Sequence, residues 1–340
     1  MTETFVFPAN NESAEKCAEM IKNGGLVAIP TETVYGLGAN GLDEEAVLKI
    51  FLAKGRPQDN PLILHLADAD EIEKYCCDVP ETAKKLAQHF WPGPLTMVLK
   101  AKDIVPKCTT AGLDTVAVRC PDCDVTRKLI SLAGVPVAAP SANTSGRPSP
   151  TSAAHVIEDM TGKIEAIIDN GPCTVGVEST IIDLSGDKPR LLRPGGLPLE
   201  DIEAIIGDVV KDKAVKGEVK DDEIVRAPGM KYRHYAPKAP VTVVTGKPED
   251  TGRYILENCG ANTGIICFDE YAHMFDDCTV KCLGKVADSG EHARRIFEIL
   301  RAFDGTDVIK IIAQCPEDKG LDSAVVNRLK KAAGFTVIKV

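Results

Sequence analysis

Lys54 and Arg56 are spaced by two at the exit of an amphipathic stretch, so an extended chain there aims both side chains to one side. An ammonium and a planar guanidinium that converge in this way suit a polyphosphate, and nearby Asn60 adds a donor and an acceptor. A solvated helix C-terminus, which favours cations, accounts for the same pair without any ligand. A second polar constellation is Pro140-Ser-Ala-Asn-Thr-Ser-Gly-Arg-Pro-Ser-Pro-Thr151, directly after the apolar run 135–139. Hydroxyls and amides at the carboxyl end of a strand, leading into a helix capped near Thr151, are where α/β proteins take ligands. Serine, asparagine and proline are also ordinary loop formers, so the weight comes from their combination with Lys54 and Arg56. Three further polar groups interrupt apolar runs: His65 within 62–66, Arg119 after 115–118, and Glu178-Ser179-Thr180 before Ile181. An arginine at a strand end can fork onto a carboxylate, whereas a lone strand histidine is more often a satisfied core residue.

Two patterns point elsewhere and fail on context. Gly36-Leu-Gly38-Ala-Asn-Gly41 fits a dinucleotide fingerprint, but Pro30 to Tyr35 separates it from the preceding apolar run, and no acidic strand end follows at the ribose offset. Glycines that allow tight turning and close backbone approach explain it better. Cys120 and Cys123 form a C-x-x-C with no second pair and no histidine at zinc-finger spacing, which favours plain packing over a metal site. A phosphate-binding loop of the Walker A type is absent.

Apolar runs alternate with amphipathic stretches, the pattern of an α/β architecture. Strands are expected at 26–29, 62–66, 95–99, 115–118, 135–139 and 180–184, with a helix over 43–54 capped by Asp43 and ended near Gly55. Residues 207–226 hold 11 charges in 20 and lead into Ala227-Pro-Gly229, which reads as a solvated linker. Beyond Pro240 the alternation resumes, with strands at 241–244, 264–268, 308–313 and 336–340 and helices at 291–303 and 321–333.

With 340 residues, 44% hydrophobic and 26% charged, the chain is globular material for two domains. Its net charge of −10 disfavours stable nucleic-acid binding, though not a local basic pocket. The sequence shows neither a membrane-length apolar run nor a signal-peptide start, so a cytoplasmic protein with its twelve cysteines as thiols is expected.

Read together, Pro30-Thr-Glu-Thr-Val-Tyr-Gly-Leu37, Lys54-Gly-Arg-Pro57, Asn60-Pro-Leu62, Ser141-Ala-Asn-Thr-Ser-Gly146, Glu178-Ser-Thr-Ile181 and Leu192-Arg-Pro-Gly195 resemble the YrdC-like fold. Ala227-Pro-Gly-Met-Lys-Tyr-Arg-His-Tyr-Ala-Pro237 is similar to the linker signature of its longer members, the threonylcarbamoyl-AMP synthases. The resemblance spans essentially the whole chain. It implies a YrdC-like twisted mixed open sheet with helices over 1–206, a linker over 207–239, and a smaller Rossmann-like α/β accessory domain over 240–340. It further implies synthesis of threonylcarbamoyl-AMP from L-threonine, bicarbonate and ATP with release of pyrophosphate, Mg²⁺ accompanying ATP without assigned protein ligands. The product would pass to the tRNA threonylcarbamoyl-transfer machinery for N6-threonylcarbamoyladenosine formation. Carried onto this chain, the family pattern places threonine near Thr33, His65, Arg119, Ser141 and Ser179. ATP falls to Lys54, Arg56, Asn60, Thr115, Asn143, Thr151, Arg193 and Tyr235, with His234 and Tyr232 as alternatives to Tyr235 and the two cations Lys54 and Arg56 as catalytic groups. The competing readings are an RNA-binding or ribosome-maturation module of the same fold, and a carbamoyl-transfer enzyme of the hydrogenase-maturation type, whose additional domains and zinc-finger cysteines are not evident here.

Overall fold

The computed structural model describes residues 2–217 and 234–340, which fall into two compact units. The motif 227–237 therefore lies mostly outside the described residues, Tyr232 with it, while His234 and Tyr235 are within them.

The first unit is built on a mixed sheet of twelve strands among the described residues. They are β1 (Phe5–Pro8), β2 (Val27–Ile29), β3 (Gly36–Asn40), β4 (Ile63–His65), β5 (Cys76–Cys77), β6 (Leu95–Ala101), β7 (Thr115–Arg119), β8 (Val137–Ala138), β9 (Ala166–Asp169), β10 (Thr180–Asp183), β11 (Arg190–Arg193) and β12 (Val210–Lys211). The order is β1-β9-β2-β3-β8-β4-β7-β6-β10-β11-β12, with β5 paired to β6. At its centre β4 and β7 run parallel with His65 opposite Arg119, β6 is antiparallel to β7, and β10 is parallel to β6 with Thr180 opposite Leu95. The strand order thus draws residues distant in sequence to neighbouring strand ends.

The helix Glu44–Lys54 follows from its sequence. The Asp43 carboxylate accepts from the amides of Glu45 and Ala46, Gly55 closes the other end at φ 62°, and Ala46, Val47, Ile50 and Phe51 are buried. Buried with them is Lys54, which the solvated-terminus reading did not require.

Some expectations change or sharpen. The glycine run Gly36–Asn40, read as serving tight turning and close backbone approach, lies in a strand, β3, antiparallel to both β2 and β8, and the close approach is what it serves. Its glycines, and Gly41 after it, let neighbouring strands close in, since a Cβ on Gly41 would stand 2.4 Å from a Leu64 methyl. The helix expected to be capped near Thr151 has its N-cap at Ser152 and begins at Ala153, in agreement with that reading. The charged stretch from Gly207 does not start as a tether: β12 pairs with β11, and the helix Lys213–Lys216 buries Ala214 against Ile63, Val98 and Leu192.

The second unit has a wholly parallel five-stranded sheet, β13 (Val241–Thr245), β14 (Thr263–Cys267), β15 (Thr279–Cys282), β16 (Lys310–Gln314) and β17 (Val337–Lys339), in the order β15-β14-β16-β13-β17. Helices Pro248–Asn258, Ser289–Ala302 and Asp322–Ala332 provide crossovers. Gln314, at the end of β16, is fully buried: its Oε1 accepts from the Phe268 amide at 3.0 Å, and its Nε2 donates to the Pro248 carbonyl and Thr251 Oγ1 at 2.8 and 2.9 Å. His292 is equally buried, with Nδ1 2.8 Å from Asp322 Oδ1 and Nε2 2.8 Å from the Lys285 carbonyl.

Among the described residues no helix is long and apolar enough to cross a membrane. All twelve cysteines are free thiols.

Candidate active site

Arg119 ends β7 with its side chain almost entirely buried. Nε donates to the Gly93 carbonyl at 3.2 Å, Nη1 to Thr33 Oγ1 at 2.8 Å, and Nη2 lies 2.6 Å from Glu32 Oε2. Thr33 in turn shares a 2.8 Å hydrogen bond with Thr31. His65 sits on the adjacent strand, its Nδ1 3.3 Å from the Ile63 carbonyl. Burial, seconded by the Arg119 charge, pulls the His65 imidazole down to about 3, so it is neutral at physiological pH. The structure thus brings Thr33, His65 and Arg119 together and adds Glu32, which sequence reasoning missed. The available signal was an acidic residue between two threonines in a stretch that is otherwise apolar or neutral.

A second group gathers around Lys54. Its Nζ donates to the Ser141 carbonyl, to the Asn143 carbonyl at 2.6 Å and toward Asn143 Oδ1 at 3.5 Å, clasping the loop that follows β8. Ser141 Oγ donates to Asn143 Oδ1 at 2.5 Å, and Asn143 Nδ2 to the Thr144 carbonyl. Arg56 Nη2 donates to the carbonyls of Asn60 and Pro61, both at 3.2 Å. Asn60 is buried, and its Oδ1 has no hydrogen-bond partner among the described residues. Lys54, Arg56, Asn60, Ser141 and Asn143 are therefore one neighbourhood. Ser141, grouped with the threonine residues by the family pattern, is bonded here to Asn143 and Lys54. Thr115 stands at the start of β7, by strand rise about 13 Å from Arg119 and level with the Pro61 end of β4.

The third group is a backbone clasp. Arg193 Nε and Nη2 donate to the Ser179 carbonyl at 3.2 and 2.9 Å, and Nη2 also reaches Ser179 Oγ at 3.2 Å. Ser179 Oγ shares a 2.8 Å bond with Thr96 Oγ1, and the β6–β7 register, continued one step past Met97–Val118, sets Thr96 opposite Arg119. Gly195 makes the clasp possible, because a Cβ there would lie 2.3 Å from the Glu178, Ser179 and Thr180 backbone. Glu178 itself accepts from Ser149 Oγ at 2.7 Å. Thr151 is buried, with its amide 3.3 Å from His155 Nδ1.

Tyr235 belongs to the second unit, where its ring packs 5.1 Å from Phe297 and under the Arg328 guanidinium at 5.5 Å. Among the described residues no group of three or more His, Cys, Asp or Glu is placed to hold a metal ion. The first unit thus offers a buried guanidinium with hydroxyls for a small polar carboxylate, and a cation-bearing loop cluster suited to phosphates.

Two family models match: one described as telomere recombination over residues 19–195, the other as the C-terminal domain of threonylcarbamoyl-AMP synthase over 197–334. The threonylcarbamoyl-AMP synthase of Pyrococcus abyssi is 53% identical over 330 residues, 95% of this chain and 94% of that protein. That of Bacillus subtilis is 45% identical over 97% of this chain and 95% of its own length, and that of Schizosaccharomyces pombe 38% over 98% and 91%. The crystal structure of P. abyssi Sua5 complexed with L-threonine superposes with a TM-score of 0.94 at 50% identity, covering both chains completely.

Proposed function

This chain belongs to the threonylcarbamoyl-AMP synthase family, and from that membership we propose that it condenses L-threonine, bicarbonate and ATP into threonylcarbamoyl-AMP with release of pyrophosphate. The observation that carries the reading is the buried Arg119, fixed between Gly93, Thr33 and Glu32 beside a neutral His65. The threonine carboxylate takes N–H groups of Arg119, while Thr33 and Ser179 supply hydroxyls for the substrate's own polar groups. The threonine amine and bicarbonate form a carbamate and water. A carbamate oxygen then bonds to the α-phosphorus as the α–β bridge breaks and pyrophosphate leaves.

Charge grows on phosphoryl oxygens in that step, so fixed cations and donors are the useful groups. Lys54 and Arg56 supply positive potential at the edge where Asn60 and Asn143 present neutral groups, with Ser141 between them and the threonine side. Thr115, Thr151 and Arg193 complete the nucleotide side, with Tyr235 assigned to it from the motif. Mg²⁺ would accompany ATP and neutralise phosphate charge, with no protein ligand assigned to it. The product passes to the machinery that transfers threonylcarbamoyl to tRNA, and the twelve free thiols support a reducing, cytoplasmic setting.

The test is release of pyrophosphate from ATP with threonine and bicarbonate supplied or withheld. Release requiring both, with threonylcarbamoyl-AMP found by mass spectrometry, is the expected result. ATP turnover indifferent to threonine overturns the proposal.

A further inference from the structure

Glu32 is buried at 7% exposure, 2.6 Å from Arg119 Nη2, yet neither of its oxygens receives an aligned hydrogen bond. A buried carboxylate with unused acceptor capacity is costly, and packing alone gives no reason to keep one. Its other neighbours offer no compensation: Cys120, Cys123 and Cys173 feel its charge, and burial pushes each thiol up, so all three are uncharged. Among the described residues, the one cation paired with Glu32 is Arg119.

Resting on the reading of Arg119 as the amino-acid carboxylate's partner, we propose that Glu32 is a positioning residue that sets both the orientation and the net charge of that subsite. The guanidinium has five N–H groups. Gly93 takes the one on Nε, Thr33 takes one on Nη1, and Glu32 attracts Nη2 without an aligned bond. The N–H groups left without an aligned bond are one on Nη1 and those on Nη2, the latter enclosed against Glu32, so the carboxylate of Glu32 fixes the edge that the guanidinium turns to the substrate. Glu32 also cancels the arginine charge, so the pair as a whole is neutral. A zwitterion, carrying its own ammonium, then suits the subsite better than a bare anion does.

Glu32→Gln keeps the shape and removes the charge. Wild type is measured first, for threonine-dependent pyrophosphate release and for threonine binding by calorimetry. If it shows neither, the functional reading falls and this proposal with it; if it shows both, the variants test Glu32 alone. The expected result for Glu32→Gln is a threonine KM raised ~10-fold or more, an ATP KM within about twofold of wild type, and a reduced preference for threonine over 2,3-dihydroxybutanoate, which has no amine. An unchanged threonine KM, an equal rise in both KM values, or an unchanged preference for threonine over the deaminated acid overturns the proposal. If Glu32→Gln does not fold, Glu32→Asp decides: retained preference with a raised threonine KM supports the role, and loss of the preference refutes it.

Discussion

Gly195→Ala adds one methyl group to the first unit, and the structure says where it must go. The new Cβ would stand 2.3 Å from the Glu178 carbonyl oxygen, the Ser179 carbonyl carbon and the Thr180 amide nitrogen. Comfortable contact between such atoms begins about 1 Å further out, so one backbone segment must move by roughly that distance. All three contacts are backbone, which cannot swing aside as a side-chain tip does. The move pulls Ser179 away from Arg193 and breaks the pairing of the Gly196 amide with the Glu178 carbonyl at 2.9 Å. Overpacking of this kind costs about 1 to 3 kcal/mol and each of the two weakened hydrogen bonds about 1 more, giving a loss of roughly 3 to 5 kcal/mol. For a unit of this size that lowers the melting temperature by roughly 6 to 20 °C. A displacement of about 1 Å beside a reacting centre is worth ~100-fold in rate, so activity should fall further than stability explains. The assay pairs pyrophosphate release with thermal melting, and Gly186→Ala is the control, because a Cβ there meets nothing within 4 Å. A Gly195→Ala protein with wild-type melting and turnover would refute the steric reasoning.

Lys54→Ala and Arg56→Ala should each lower adenylation by about 2 to 4 kcal/mol of transition-state stabilisation, more than they lower stability; normal pyrophosphate release by a stably folded double variant counts against their role. Valine has threonine's shape but no hydroxyl, so it should support far less turnover than threonine, with serine the nearer competitor, as parallel substrate assays will show. His65 has a folded pKa near 3 against 6.5 for the free imidazole, so the unfolded chain binds its proton first and the stability it contributes, present above pH 6.5, is lost as pH falls toward 3. His65→Asn should therefore flatten the pH dependence of unfolding in that window, and an unaltered slope would show that His65 does not set it. In the second unit, burial pulls the His292 imidazole down, but Asp322 and the Lys285 carbonyl outweigh it and hold the pKa above 6.5; its stabilisation is complete below that pH and lost as pH rises through the raised value. Asp322→Asn should cost about 3 kcal/mol in denaturant unfolding below pH 6.5.

The parts of this fold that show in the sequence are those where a single physical signal dominates. Continuous β-branched and leucine runs foretell β4, β6, β7, β10, β13, β14 and β16, because burial on both faces demands them, whereas β15, only half-buried, carries no such run and is missed. Asp43 and Gly55 foretell the bounds of their helix through capping. β3 is hidden because Gly36-Leu-Gly-Ala-Asn40 carries turn residues where the sheet needs the space that glycines leave. β12 and the helix after it are hidden because their charges mask the few residues that pack, Ala214 among them. At the site, residue types told which groups carry charge but not where their charges are used. Lys54 looks like an open cation in sequence, and the fold spends its ammonium on the carbonyls of Ser141 and Asn143. Glu32 gave the weakest signal, since its importance lies in a neighbour 87 positions away.

A parallel α/β sheet offers a crevice where adjacent strands send their chains in opposite directions. In the second unit that point lies between β14, whose chain continues to β15 on one side, and β16, whose chain continues to β17 on the other. Gln314 occupies it, bridging the amide after β14 to the helix that begins at Pro248. Trimming that side chain to alanine would vacate an amide-shaped niche whose bare rim, the Phe268 amide and the Pro248 carbonyl, displays one donor and one acceptor. Acetamide or formamide in the buffer would be the natural tenant, raising the lowered melting temperature with the logarithmic concentration dependence of ligand binding. The accessory unit would then become a dial: its firmness could be turned up or down by a small solute, with every residue of the other unit left as it is.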